Sequence, residues 1–197
     1  MKRPEFLAVF ARHRAGAPTI TGPGLGSREL FALEGEDPGI LYNMDLAYAA
    51  PFCLGIALGT NLPRVVALEG DGSLLAGMPV LSTIARYRPR NLTVIALDNE
   101  SYGTFGHGEM DSATAVGTDL EAVGRACGIE RCRTVRTLDE AEEVLPRALR
   151  EPGPWLVVAK LEHHGDTDPR FGRVPPDVVD AGVAFFRHLR RLRQQEA

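Results

Sequence analysis

Arg64-Val-Val-Ala-Leu-Glu-Gly-Asp-Gly-Ser73 and Asn91-Leu-Thr-Val-Ile-Ala-Leu-Asp-Asn99 are two continuous apolar runs, each closed by a polar turn. Runs of this kind read as strands covered on both faces, the habit of parallel sheets. Between Gly72 and Asn99 lie 26 residues, enough for one crossover helix, which the pattern places from about Pro79 to Tyr87. The two strands are therefore expected as neighbours, with Asp71 and Asn99 side by side at their carboxyl ends.

Working outward, the alternation continues in both directions. Upstream, residues 3–14 read as an amphipathic helix and Ala17–Thr21 as a strand. A glycine loop, Gly22-Pro-Gly-Leu-Gly-Ser27, precedes a helix for which Ser27 is the expected N-cap. Gly39–Tyr42 reads as a short strand and Ala47–Thr60 as a buried helix. Downstream, Thr118–Cys127, Leu138–Arg150 and Pro176–Arg193 read as helices, and Cys132–Val135 and Trp155–Leu161 as strands. In the last helix the apolar positions 178, 179, 183, 186 and 189 show a helical spacing. The fold class is α/β: a doubly wound, mainly parallel sheet with helices on both faces. One domain over residues 1–197 is expected, ending in a C-terminal helix and tail at 176–197.

Composition narrows the function. The 197 residues carry a net charge of −4, which gives no support to a nucleic-acid or anionic-membrane partner. No apolar run approaches the roughly 20 residues of a membrane span. Cys53, Cys127 and Cys132 are an odd set without a CxxC pair and read as reduced thiols of a cytoplasmic protein. The basic segment Arg187–Arg193 reads as a solvated helix face.

In open parallel sheets, ligands bind beyond the carboxyl ends of the strands, so the post-strand loops carry the chemistry. The loop holding Gly24 and Ser27 has the form Gly-x-Gly-x-x-Ser and lacks a third glycine; it reads equally as a tight turn or a phosphate cradle. The other two loops are stronger as a pair. A carboxylate (Asp71), a carboxamide (Asn99) and a backbone carbonyl from the turn after Asn99 are hard oxygen ligands that suit an octahedral Mg²⁺. Gly70 and Gly72 let backbone N–H groups approach an anion bound to the same ion.

The Gly-Asp-Gly…Asn arrangement resembles the cofactor signature of thiamine diphosphate (ThDP) enzymes. With Asn43-Met-Asp-Leu-Ala47, Ser27-Arg-Glu-Leu30, Tyr102-Gly103 and Gly117-Thr-Asp-Leu120, the chain resembles sulfopyruvate decarboxylase β-type subunits and the C-terminal halves of phosphonopyruvate decarboxylases. The resemblance runs from about Thr21 to Val174. It implies Mg²⁺ ligation by Asp71, Asn99 and Ser101, and diphosphate contacts from Gly72, Ser73, Tyr102 and Gly103. It also implies that Met44 bends the cofactor, that the Tyr42 carbonyl receives the aminopyrimidine, and that Gly24 and Ser27 close over the phosphates.

The glutamate that activates the aminopyrimidine belongs, in this family, to a pyrimidine-binding domain. Glu34, Glu36 and Glu69 all fall within this chain's own strands and turns. The resemblance therefore implies a partner chain of α type, in a heteromer such as α2β2, with this chain inactive alone. The implied activity is decarboxylation of a 2-oxo acid, sulfopyruvate- or phosphonopyruvate-like. Alternatives are a ThDP-dependent carboligase subunit and a non-catalytic ThDP-binding partner protein. The pattern departs from the family at Asp45, where glycine is usual, and at Thr104-Phe-Gly-His-Gly-Glu-Met110, where Thr-Gly-Gly-Gln is usual. In that segment His107 reads either as a proton donor or substrate-carboxylate contact, or as a surface histidine. The run His163-His-Gly-Asp-Thr-Asp168 lacks metal-site spacing and reads as a polar loop, including His163 and His164.

Overall fold

The computed structural model describes residues 1–103, 110–163 and 177–195. In chain order the elements begin α1 (Arg3–Arg14), β1 (Thr19–Thr21), α2 (Leu25–Glu34), β2 (Ile40–Leu41), α3 (Ala49–Gly59) and β3 (Val65–Gly70). They continue with α4 (Asp71–Ala76), α5 (Val80–Tyr87), β4 (Leu92–Asp98), β5 (Ser101–Tyr102) and β6 (Met110–Asp111). A 3₁₀ turn at Ala113–Val116 leads to α6 (Leu120–Ala126), β7 (Arg131–Val135), α7 (Leu138–Arg150), β8 (Trp155–Lys160) and α8 (Val178–Gln195). Six strands form one sheet in the order β2-β1-β3-β4-β8-β7, every pairing parallel.

Apolar side chains alternate across this sheet even where the sequence runs apolar without a break. Val65, Ala67, Leu92, Val94 and Ala96 pack into one core with α3, α4, α5, α6 and α8. Val66, Leu68, Ile95 and Leu97 pack into the other with α1, α2 and α7. Both faces being covered explains why β3 and β4 show no alternation of polarity.

The connection from β1 leads to β2 on one side, while that from β3 leads to β4 on the other, so the winding reverses between β1 and β3. Such a reversal opens a crevice at the carboxyl ends of the two strands, where the diverging loops leave room for a ligand.

Three expectations change. The segment after β3 is a helix rather than a turn: Asp71 is the first residue of α4, with Gly70 extended as its N-cap. Ser27 does not cap α2, which begins at Leu25 with Gly24 as N-cap at φ 95°. That backbone shape is open to glycine and costly for other residues. In α8, Phe185 and Leu189 are buried whereas Val178, Val179, Val183 and Phe186 are exposed. The helix carries two apolar arcs, and the one containing Phe185 and Leu189 faces the core. The α3 helix is also only partly buried, with Tyr48, Phe52 and Leu58 on the surface. The basic end of α8 is solvated at Arg190, Arg191 and Arg193, as expected. No helix among the described residues is long and apolar enough to cross a membrane.

Candidate active site

The loops after β1, β3 and β4 enclose a cavity of about 200 Å³ at the reversal point. It is lined by Gly24 and Ser27, by Gly70, Asp71, Gly72 and Ser73, and by Asn99, Ser101, Tyr102 and Gly103. Ten of the residues singled out from sequence thus meet around one space, although they come from three loops. Met44 and Tyr42 stand outside that lining. Met44 packs half-buried against the α3 side of the core. Tyr42 is buried in the opposite core and its hydroxyl donates to the Gly35 carbonyl at 3.0 Å. His107 and His164 lie outside the described residues. His163 meets Asp111 across 3.2 Å.

Local physics fixes each wall. On the α2 side, Gly26 approaches the end of β4 so closely that a Cβ would lie 2.5 Å from Leu97 Cδ1. The Ser27 hydroxyl is tied inward, accepting from Thr21 Oγ1 at 2.8 Å and from the Asn43 N–H at 2.9 Å. Asn43 adopts φ 58°, a conformation asparagine tolerates, and the Met44 N–H returns to the Thr21 carbonyl at 2.9 Å. Ser27 therefore holds the Met44 loop against the glycine loop through its side chain. On the opposite wall, a Cβ on Gly72 would lie 2.1 Å from Tyr102 Cε1, so glycine is what lets the Tyr102 ring lie over α4.

The buried polar groups form two sets. Glu69 accepts from the Ala50 N–H in the first turn of α3 and from Ser73 Oγ at 2.6 Å, while Ser73 Oγ accepts from the Ala47 N–H at 3.0 Å. This carboxylate anchors the start of a helix, where negative charge is favoured. Burial pushes its pKa up, with the hydrogen bonds from Ser73 and Ala50 opposing.

The second set centres on Asp71, 1% exposed. Its Oδ2 receives a hydrogen bond from Ser112 Oγ and lies 3.0 Å from Thr114 Oγ1, which is also 2.8 Å from Asp98 Oδ1. Asp98 is balanced by Lys160, whose Nζ donates to its Oδ2 at 3.0 Å and also to Glu100. Burial raises the Asp71 pKa above its ordinary value; hydrogen bonding from Ser112 opposes this and the Asp98 charge adds to it.

On its other side Asp71 meets the Asn99 carboxamide. One terminal atom of that amide faces both Asp71 Oδ1 and the Ser101 carbonyl, 3.3 Å from each. As nitrogen it donates to both; as oxygen it completes a trio of oxygens with no hydrogen between them, which a cation relieves. A carboxylate, an amide oxygen and a backbone carbonyl form a hard donor set of the kind Mg²⁺ takes. Beside it, Ser101 Oγ is buried without a hydrogen-bond partner among the described residues. Buried orphans of this type are rare, and one that stands beside a cluster of oxygens is open to a bound water or ion. The residues fit a metal–diphosphate group.

A family model described as thiamine pyrophosphate enzyme, C-terminal TPP binding domain, matches residues 38–159. The chain belongs to this family. Among relatives of this TPP-binding domain, the sulfopyruvate decarboxylase β subunit of Methanococcus maripaludis is 28% identical over 178 residues, covering 90% of this chain and 94% of that protein. The phosphonopyruvate decarboxylase of Streptomyces viridochromogenes is 35% identical over 186 residues, 92% of this chain but 45% of its own length. The fold is similar to that of benzoylformate decarboxylase from Polynucleobacter necessarius, with a TM-score of 0.64 at 21% identity over 81% of this chain and 33% of that one.

Sequence reasoning missed Ser112, Thr114 and Lys160. They reach the site from 41, 43 and 62 positions away from their carboxylate partners, and no local pattern signals such contacts.

Proposed function

We propose that this TPP-binding chain is the diphosphate- and Mg²⁺-holding subunit of a heteromeric decarboxylase of 2-oxo acids. The convergence of Asp71, Asn99 and Ser101 on one point at the reversal of the sheet carries the reading. Its similarity to sulfopyruvate decarboxylase β subunits over nearly their whole length supports the substrate class and a partner of α type. The substrate is a sulfopyruvate- or phosphonopyruvate-like 2-oxo acid.

Asp71 Oδ1, the Asn99 amide oxygen and the Ser101 carbonyl hold Mg²⁺. Backbone N–H groups in the first turns of α2 and α4, together with Tyr102 and Gly103, hold the diphosphate. The Met44 loop, fixed by Thr21 and Ser27, supports the ring system, with the Tyr42 carbonyl toward the aminopyrimidine. Bound ThDP supplies the electron sink needed for loss of CO₂ from a 2-oxo acid. Among the described residues, the buried glutamates are committed elsewhere: Glu29 to Arg3 at 2.6 Å and Glu69 to Ala50 and Ser73. Glu34 is likewise held, by Arg14 at 2.8 Å. As the family resemblance implies, the carboxylate that activates the aminopyrimidine comes from the partner subunit.

The test is to purify this chain with its partner and measure CO₂ release from a panel of 2-oxo acids. Release from an anionic 2-oxo acid by the pair, and by neither chain alone, is expected. Full activity of this chain by itself would overturn the two-chain reading, and no release with any member of the panel would overturn decarboxylation.

A further inference from the structure

The two oxygens of Asp71 face different surroundings. Oδ1 points to the Asn99 amide and the Ser101 carbonyl, while Oδ2 points to the hydroxyls of Ser112 and Thr114. A carboxylate that ligates through one oxygen needs its torsion fixed by bonds to the other, because free rotation would blur the ligand position. Both hydroxyls are buried, at 2% and 6% exposed, and Thr114 Oγ1 also contacts Asp98 Oδ1 at 2.8 Å. Thr114 thus sits between two anionic side chains, separating a charge neutralised by Lys160 from one left for a cation.

We infer that Thr114 is a positioning residue for the metal site: its hydroxyl orients Asp71 so that Oδ1 is presented to Mg²⁺. The inference rests on the Mg²⁺ reading of Asp71 given above. Ser112 assists, but its oxygen also caps the 3₁₀ turn by accepting from the Thr114 N–H at 3.3 Å, so its removal would mix two effects. The Thr114 side chain caps no turn; its hydroxyl bridges Asp71 and Asp98, so the two carboxylates are held together through it. Its neighbours place it immediately after the β5–β6 pair, where Ser101 stands opposite Asp111. One strand of that pair therefore contributes a ligand carbonyl and the segment after the other orients the ligand carboxylate.

The experiment titrates Mn²⁺, in place of Mg²⁺, into the complex of this chain with its partner in the presence of ThDP. Free Mn²⁺ is read by electron paramagnetic resonance and ThDP occupancy by calorimetry. Thr114→Val, which keeps the shape and removes the hydroxyl, is expected to weaken Mn²⁺ binding roughly 10- to 100-fold, the range seen for outer partners of metal ligands. Thr114→Ser is expected to restore it to within about threefold, a rescue that a purely packing role of the threonine methyl would not produce. Asp71→Asn separates the two levels of the argument. If Asp71→Asn abolishes Mn²⁺ binding but Thr114→Val leaves it unchanged, the positioning role fails alone. Equal loss in Thr114→Val and Thr114→Ser also defeats it. If Asp71→Asn binds Mn²⁺ as the wild type does, or the wild type binds none, the site reading falls and takes this inference with it.

Discussion

The central strands bury charge at both ends, and the two ends solve the problem differently. At the amino end, just before β3, the Arg64 guanidinium is 4% exposed. It donates to the carbonyls of Leu149 at 3.1 Å, Arg90 at 3.3 Å and Glu151, and lies 3.4 Å from Thr93 Oγ1. Burial lowers its pKa to about 10, but its hydrogen-bonding capacity is met from within the chain. At the carboxyl end, Asp71, Asp98 and Glu69 are three buried carboxylates of which only Asp98 pairs with Lys160, while among the described residues Ser101 Oγ has no partner and one end of the Asn99 amide faces two oxygens. Among the described residues Arg14 Nε and Trp155 Nε1 are also unpartnered, but each is a lone donor away from this convergence. A buried charge that the chain satisfies by itself holds the fold together. A buried cluster left unsatisfied is one that a ligand completes.

Breaking the incomplete end should have the largest effect on function and little on folding. Asp71→Asn removes the charge from the ligand trio and should abolish metal-dependent ThDP binding, seen as loss of the calorimetric signal, with the far-UV circular dichroism unchanged. Breaking the complete end should do the reverse. Arg64→Met keeps bulk but removes the donors to the Leu149, Arg90 and Glu151 carbonyls, at a cost of about 3 kcal/mol. That corresponds to a fall in Tm of roughly 6–12 °C for a chain of this size. ThDP affinity measured below the transition should stay within a few-fold of wild type.

A smaller, mixed effect is expected where packing and site meet. Gly72→Ala forces the Tyr102 ring away and should cost about 1–3 kcal/mol of stability. ThDP affinity should drop about tenfold, the equivalent of 1.4 kcal/mol. Loss of stability without loss of affinity would mean that the ring position does not matter to the site.

The smallest effect is expected at Glu121, remote from both ends. Burial acts to raise its pKa, but hydrogen bonds from Thr134 and Arg125 outweigh that and leave it lowered. Its contribution to stability is therefore present above the ordinary glutamate value near ~4.3 and is lost as pH falls through the lowered folded value. Glu121→Gln should cost less than about 1 kcal/mol at neutral pH, since the group is partly exposed. Urea unfolding at neutral and acid pH should show the gap to wild type closing in acid.

Much of this contrast was legible from local pattern. The apolar runs ending in Gly70-Asp71-Gly72 and Asp98-Asn99 told of adjacent buried strands because only covered strands tolerate such runs, and they brought Asp71 and Asn99 together. Gly24 and Ser27 also reached the expected cavity, yet the N-cap preference of serine lost to the backbone demands of Gly24 and the close approach of Gly26 to Leu97. The buried face of α8 was not legible, because valines at 178, 179 and 183 satisfy helical spacing as well as Phe185 and Leu189 do. Spacing alone does not say which arc meets the core. Ser112 and Thr114 were invisible for a different reason: contact with Asp71 depends on how the chain returns after β6, a long-range matter with no period. Arg64 read as a strand start, and nothing beside it in sequence announces the distant carbonyls that hold it.

The central claim is that the carboxyl end of β3 and β4 is completed by a metal-bound diphosphate. Calorimetric titration of ThDP into the complex of this chain with its partner, with Mg²⁺ and then with the metal chelated, tests it most directly. Saturable binding with Mg²⁺ that is lost on chelation, and lost in Asp71→Asn, is the predicted result. Binding that persists unchanged without the metal, or in Asp71→Asn, would contradict the account.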